Sequence, residues 1–340
     1  MATTALGSDK VVALLFGQSR DRVAWQDLAS LTAPKLKRAL GADVVRELEF
    51  TTRFLDATRV IQLTIAAAEE SATLPVCTQA TQHQAIAEFE SSKQVEIVMQ
   101  PEDLVRAHRQ PGLAVFDMDS TLIQQEVIDE LARAVGLYDK VAAITEAAMR
   151  GEAPYTDFEA SLRARVSLLK GVPTSIWEQL KTETITFTPG AAELIRCLKA
   201  LGWKTAVLSG GFTPLANWVK ETLGLDYAFA NHLVADEEKR ILTGQLVSGK
   251  PIIHGQKKKE LLQSLAEQNS IPLERVIAVG DGSNDLPMMH TAGLGIAFNA
   301  KPKVQQAAPV RLNSTTLLDV MYILGYTKEE IDAHLEHESR

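Results

Sequence analysis

The sequence predicts an α/β protein: a doubly wound parallel sheet with an inserted helical cap, preceded by a small N-terminal α+β domain. Three observations carry this. Beyond residue 112, short apolar runs alternate with long amphipathic segments. A block at 124–187 is helical in period and too long for one crossover. Residues 10–100 instead follow the order strand, helix, strand, strand, helix, strand.

In that first block the strands are expected at VVALLF, VRELEF, RVIQLTIA and QVEIVM, with helices near 25–41 and 80–91, the first interrupted by Pro34. This order fits a ferredoxin-like module of the kind that senses small molecules, so residues 1–105 are expected to bind a regulatory ligand or to pair two copies of the chain. The stretch PEDLVRAHRQPG, 101–112, bracketed by Pro101 and Pro111-Gly112, reads as a linker with at most one helical turn.

The second domain, 106–340, has strands expected at LAVF (113–116), TAVLS (205–209), AFA (228–230), VIAVG (276–280) and GIAF (295–298). Near-continuous apolar strands separated by helices are the signature of a parallel sheet covered on both faces. The tail TKEEIDAHLEHESR reads as a surface helix capped by Thr327.

Composition narrows the function classes. The 340 residues are 46% hydrophobic and carry a formal net charge of −8, which argues against a phosphate-backbone surface and so against a nucleic-acid partner. Cys77 and Cys197 lie far apart and form no CxxC, so they read as buried structural thiols in a reducing compartment. The apolar run Val11 to Phe16 lacks the basic flank and the length of a signal peptide or a membrane span, so a cytoplasmic location with no membrane partner is expected.

In an open α/β sheet, ligands sit beyond the carboxyl ends of the strands. Three expected strands end there in polar residues: LAVF runs into Asp117-Met118-Asp119-Ser120-Thr121, TAVL into Ser209-Gly210-Gly211, and VIAV into Gly280-Asp281-Gly282-Ser283-Asn284-Asp285. This gathers Asp117, Asp119, Asp281 and Asp285 on one rim, where a hard divalent cation with oxygen ligands would neutralise them; Mg²⁺ suits such a site because it shares its shell with substrate phosphate. Taken alone, Thr121 and Gln124 fit a capping box for the next helix, and Ser209-Gly210-Gly211 fits a tight turn. Rival motifs fail: GDGSND has Asp285 where a dinucleotide loop needs its third glycine, and GQLVSGKP puts Pro251 at the hydroxyl position of a P-loop.

In this order, DMDST, LSGGF, a lysine-bearing helix start and VGDGSNDLPMM resemble the haloacid dehalogenase superfamily of phosphoryl-transfer enzymes. The longer matches DMDSTL, EVIDELA, SLRARVSLL and GLDYAFAN resemble its phosphoserine phosphatase family; the resemblance covers 113–312 and leaves the first hundred residues unmatched. It implies that Asp117 is the nucleophile and that Asp119 is the general acid and base, with Mg²⁺ held by Asp117, the Asp119 backbone carbonyl and Asp281, supported by Asp285.

It further implies a phosphate clamp of Ser209, Gly210, Asn284 and one lysine, for which Lys258 is favoured over Lys257 and Lys259. For the amino-acid end of a phosphoserine substrate it implies Glu126 for the ammonium, Arg165 for the carboxylate, and Met149 and Phe158 as apolar walls. Read without the family, Glu126 is a first-turn helix acid and Arg165 an exposed helix charge. A phosphotransferase serving another hydroxy amino acid, such as homoserine, would use the same residues. Two departures stand out: GEAPYTD at 151–157 is longer than the family's usual loop, and Ser283 replaces its usual alanine.

Overall fold

The computed structural model describes residues 7–155 and 157–337. Strands β1 (Lys10–Gly17), β2 (Phe50–Asp56), β3 (Val60–Ala66) and β4 (Val95–Pro101) form an antiparallel sheet in the order β2-β3-β1-β4. The run VVALLF is apolar at every position because both faces of β1 are covered. Val11, Ala13 and Leu15 pack with Trp25, Leu36 and Ile86 from the domain's own helices. Val12, Leu14 and Phe16 share a core with Met321 and Tyr322 near the C-terminus.

Three expectations for this domain are corrected. Pro34 does not interrupt the first helix, which runs from Arg22 to Leu40 behind an Asp21 cap. Ala29, Ala33, Leu36 and Leu40 are buried on both sides of the proline, and that burial outweighs a helix-interior cost of about 3 kcal/mol. The second strand lies at Phe50–Asp56, not at VRELEF, because Val44 and Val45 are buried in the turn after the helix. The helix near 80–91 is two, Leu74–Thr81 and Gln84–Lys93, the second opened by His83, whose Nδ1 accepts from Ala85 N.

The 101–112 stretch contains a helix, Glu102–Ala107, with Leu104 and His108 buried. The N-terminal sheet and this connection are also fastened to the C-terminal segment beyond the last strand. Gln100 Nε2 donates to the Ile323 carbonyl at 2.7 Å, Arg59 pairs with Asp319 at 3.0 Å, and Arg109 pairs with Glu330 at 2.7 Å.

The second sheet has β5 (Leu113–Phe116), β6 (Lys204–Phe212), β7 (Tyr227–Asn231), β10 (Val276–Gly280), β11 (Leu294–Phe298) and β12 (Val310–Leu312), all parallel, in the order β12-β11-β10-β5-β6-β7. The chain leaves β5 toward β6 and β7, then returns across it to β10. The carboxyl ends of β5 and β10 therefore flank the switch point, the place where open α/β sheets bind their ligands.

Between β5 and β6 lie the cap helices Val127–Ala134, Tyr138–Met149, Phe158–Ser167 and Ile176–Gln179. A hairpin that the apolar runs did not reveal, β8 (Leu233–Asp236) with β9 (Ile241–Leu246), docks on the cap: Leu242 N donates to Val172 O and Gly171 N to Leu242 O, each at 2.8 Å. The C-terminal helix Lys328–His337 opens with reciprocal bonds between Thr327 and Glu330, and Ile331 buries its inner face. Cys77 and Cys197 are both buried, and Cys197 Sγ donates to Ile331 O at 3.9 Å. Among the described residues no helix is long and apolar enough to cross a membrane.

Candidate active site

The site is built at the carboxyl ends of β5, β6 and β10. Asp117 N donates to Val279 O at 2.9 Å, extending the β5–β10 ladder one residue past the strand and fixing where the Asp117 side chain leaves the sheet. The chain then makes an irregular turn, Met118–Leu122, with Ser120 in the left-handed region at φ 55°. That conformation costs a non-glycine residue about 1–2 kcal/mol. It is held by Ser120 N donating to Gln125 O at 3.3 Å and by Ser120 Oγ donating to Glu126 Oε1 at 2.8 Å.

Carboxylate oxygens of Asp117, Asp281 and Asp285 lie within 4.8 Å of one another. Lys258, fully buried in the first turns of helix Gly255–Gln268, places Nζ 2.8 Å from Asp117 Oδ1 and 2.7 Å from Asp285 Oδ1. Asp285 is fixed a second time by Gly282 N, which donates to its Oδ2 at 3.0 Å. Lys257, its neighbour in sequence, pairs with Glu260 on the helix surface.

The electrostatics follow from burial. Desolvation and then Asp285 push the Asp117 carboxyl well above its ordinary value, against the pull of Lys258. Desolvation, then Glu126 and Asp117, raise Asp119 in the same way. Desolvation and Asp285 push Asp281 up to about 7. Burial works against the charge on Lys258, yet Asp117 and Asp285 outweigh it and hold the ammonium above its usual range.

When all three are ionised, the carboxylates exceed their one ammonium by two charges. Asp119 Oδ1 is in addition buried without a hydrogen-bond partner among the described residues. A hard oxygen-ligated cation fits this donor set. Thr121 is not the capping residue that its spacing with Gln124 suggests. Its hydroxyl faces Asp281 Oδ1 at 3.5 Å, while Gln124 Oε1 accepts from Thr186 Oγ1.

On the β6 side, Ser209 is fully buried and its Oγ accepts from Gly211 N at 2.8 Å. A Cβ at Gly210 would stand 3.2 Å from Cζ of Phe158, so the first cap residue after Asp157 overhangs the glycine turn. Asn284 is half-buried in the 281–285 loop. Arg165 is half-buried in the same cap helix as Phe158; burial lowers its pKa against Asp129, Glu126 and Asp119, whose charges all act on the guanidinium. The side chain of Met149 lies outside the described residues.

The structure thus brings Asp117, Asp119, Asp281, Asp285, Lys258, Ser209 and Gly210 to one rim, with Glu126, Phe158 and Arg165 above it. Sequence reasoning passed over Asp129, which faces Arg165, and Asn231, whose Nδ2 donates to Gly210 O at 2.8 Å. For Asn231 a signal existed: a polar residue ending an otherwise apolar strand, as in the other three rim segments.

Comparison with known proteins gives a family and a set of relatives. The model of the haloacid dehalogenase-like hydrolases matches residues 114–290. A probable phosphoserine phosphatase of Schizosaccharomyces pombe is 47% identical over 227 residues, which is 67% of this chain and 74% of the relative. A crystal structure of a haloacid dehalogenase family hydrolase from Salmonella enterica serovar Typhi superposes with a TM-score of 0.74 at 30% identity, covering 93% of this chain and 99% of its own. A phosphoserine phosphatase solved as a phospho-aspartyl intermediate analogue gives 0.57 at 42% identity, covering 63% of this chain and 99% of its own.

Proposed function

We propose that this chain, which belongs to the haloacid dehalogenase-like hydrolases and among them to the phosphoserine phosphatase family, hydrolyses O-phospho-L-serine to L-serine and phosphate through an aspartyl-phosphate. The observation that supports this most directly is the pairing of Asp117, held by Lys258 at 2.8 Å, with Asp119 two residues on, whose buried Oδ1 has no hydrogen-bond partner among the described residues.

In the first half-reaction an Asp117 carboxylate oxygen bonds to phosphorus as the bond from phosphorus to the serine oxygen breaks. Asp119, whose affinity for a proton is raised by burial and by the charges of Glu126 and Asp117, gives that oxygen its proton. In the second, the Asp119 carboxylate takes a proton from water while the water oxygen attacks phosphorus. The bond to Asp117 breaks and phosphate leaves. Lys258 keeps Asp117 oriented and opposes the charge that accumulates on the phosphoryl oxygens. Ser209 and Gly210, with Asn284, hold those oxygens on the opposite side.

Asp117, Asp281 and Asp285 would hold a divalent cation, read as Mg²⁺ with the Asp119 carbonyl completing the protein ligands, and it would supply the positive charge that lets a carboxylate approach a phosphate dianion. Glu126 receives the substrate ammonium and Arg165 its carboxylate, with Met149 and Phe158 as walls. This would make the reaction a step of serine biosynthesis in the cytoplasm. The test is phosphate release from a panel of phosphorylated small molecules, with Mg²⁺ and with EDTA. Phosphoserine should be preferred and EDTA should abolish turnover; a preference for another ester would refute the substrate assignment.

A further inference from the structure

Asn231 ends β7, is 1% exposed, and belongs to none of the segments that carry charge into the site. Opposite it the β6–β7 register breaks. Leu208 pairs with Phe229 and Phe212 with Asn231, so Ser209, Gly210 and Gly211 stand against Ala230 alone. A bulge of this kind takes residues out of the ladder and re-aims them. Here it lifts the Ser209–Gly211 turn toward the rim, and it leaves that turn needing a new tether.

The Asn231 side chain is that tether, and it grips at both ends. Nδ2 donates to Gly210 O at 2.8 Å, and Oδ1 accepts from Ile253 N at 2.9 Å. Ile253 immediately precedes His254, whose carbonyl accepts from Lys258 N at 2.9 Å in the first turn of helix Gly255–Gln268. One planar carboxamide therefore links the turn bearing Ser209 and Gly210 to the turn bearing Lys258. The chemistry of the two ends is fixed, since Gly210 offers a carbonyl and Ile253 an amide. The side chain between them must donate at one end and accept at the other. Ionised aspartate cannot donate, and an apolar side chain would leave the Gly210 carbonyl and the buried Ile253 amide without this partner.

We propose that Asn231 is a positioning residue that sets the two arms of the phosphate clamp in register, acting on the phosphoryl group and not on the amino-acid end of the substrate. This rests on the phosphatase reading above. The test uses the full chain with Asn231→Asp and Asn231→Ala, assayed with phosphoserine and with an aryl phosphate, and inhibited separately by inorganic phosphate and by L-serine.

kcat/KM should fall about 10- to 100-fold on both substrates alike, the scale of one or two lost buried hydrogen bonds. The inhibition constant of inorganic phosphate should rise by the same order while that of L-serine stays put. Thr213→Val is the control for general loosening: it removes the bond from Thr213 Oγ1 to the Asn231 backbone carbonyl, 3.0 Å, and keeps the carboxamide, so phosphate inhibition should be unchanged. An unaltered phosphate constant in both Asn231 variants, or a loss confined to phosphoserine, would overturn the proposal. Wild-type enzyme with no phosphoserine turnover would overturn the phosphatase reading instead.

Discussion

Replacing Lys258 with methionine removes the cation that separates Asp117 from Asp285 and leaves the shape of the buried stem nearly intact. Nζ lies 2.8 and 2.7 Å from the two carboxylates and the side chain is 0% exposed, so no water or neighbouring cation substitutes for it without rearrangement. The carboxylate oxygens are no more than 4.8 Å apart. At an effective dielectric of about 20 their bare repulsion is then at least about 3 kcal/mol. Breaking a buried ion pair from one side costs about 3–5 kcal/mol by a separate line of reasoning.

Both considerations give a loss of about 3–5 kcal/mol in urea unfolding measured in EDTA, partly recovered when a divalent cation is added. Phosphate release should fall about 10²–10³-fold, the cost of deleting one preorganised charge at an oxyanion. A K258M protein within about 1 kcal/mol of wild type in EDTA, or one that keeps its turnover, would refute the reasoning.

Asp117→Asn should abolish turnover while the urea midpoint in EDTA stays level or rises, because one of the crowded charges is gone; residual activity near wild type would remove Asp117 from the reaction. Arg165→Ala should lower kcat/KM for phosphoserine about 10²-fold and leave an aryl phosphate, which has no carboxylate, within a few-fold, as steady-state kinetics on both will show. Glu330 is held down to about 2, first by its hydrogen bond to Arg109, against an ordinary value of 4.5. Its contribution to stability is therefore complete above about pH 4.5 and is lost as pH falls toward 2. The wild-type advantage over Glu330→Gln in urea midpoint should shrink across that window, and a pH-independent difference would contradict the assignment.

The parallel sheet was legible because burial on both faces writes strands as short unbroken apolar runs. The rim was legible because those runs stop at carboxylates, a hydroxyl and glycines. The carboxylate cluster and its buried lysine could be anticipated from the same segments, since strand ends converge by topology alone. What escaped notice is local in a different way. The β8–β9 hairpin alternates weakly and is stabilised by backbone bonds to residues 171–174, a contact with no mark in composition. Pro34 misled because a propensity cost was weighed without the tertiary burial of Ala33 and Leu36 around it. Thr121 misled because a capping spacing is identical whether the hydroxyl turns to its own helix or to Asp281 some 160 residues away.

Trapping the covalent intermediate tests the central claim most directly. Wild-type enzyme mixed with phosphoserine, quenched within a turnover and reduced with borohydride would convert an aspartyl-phosphate to homoserine, located by peptide mass spectrometry. That mark should fall at residue 117 and nowhere else. A mark at Asp119, or none while phosphate is being released, would contradict it.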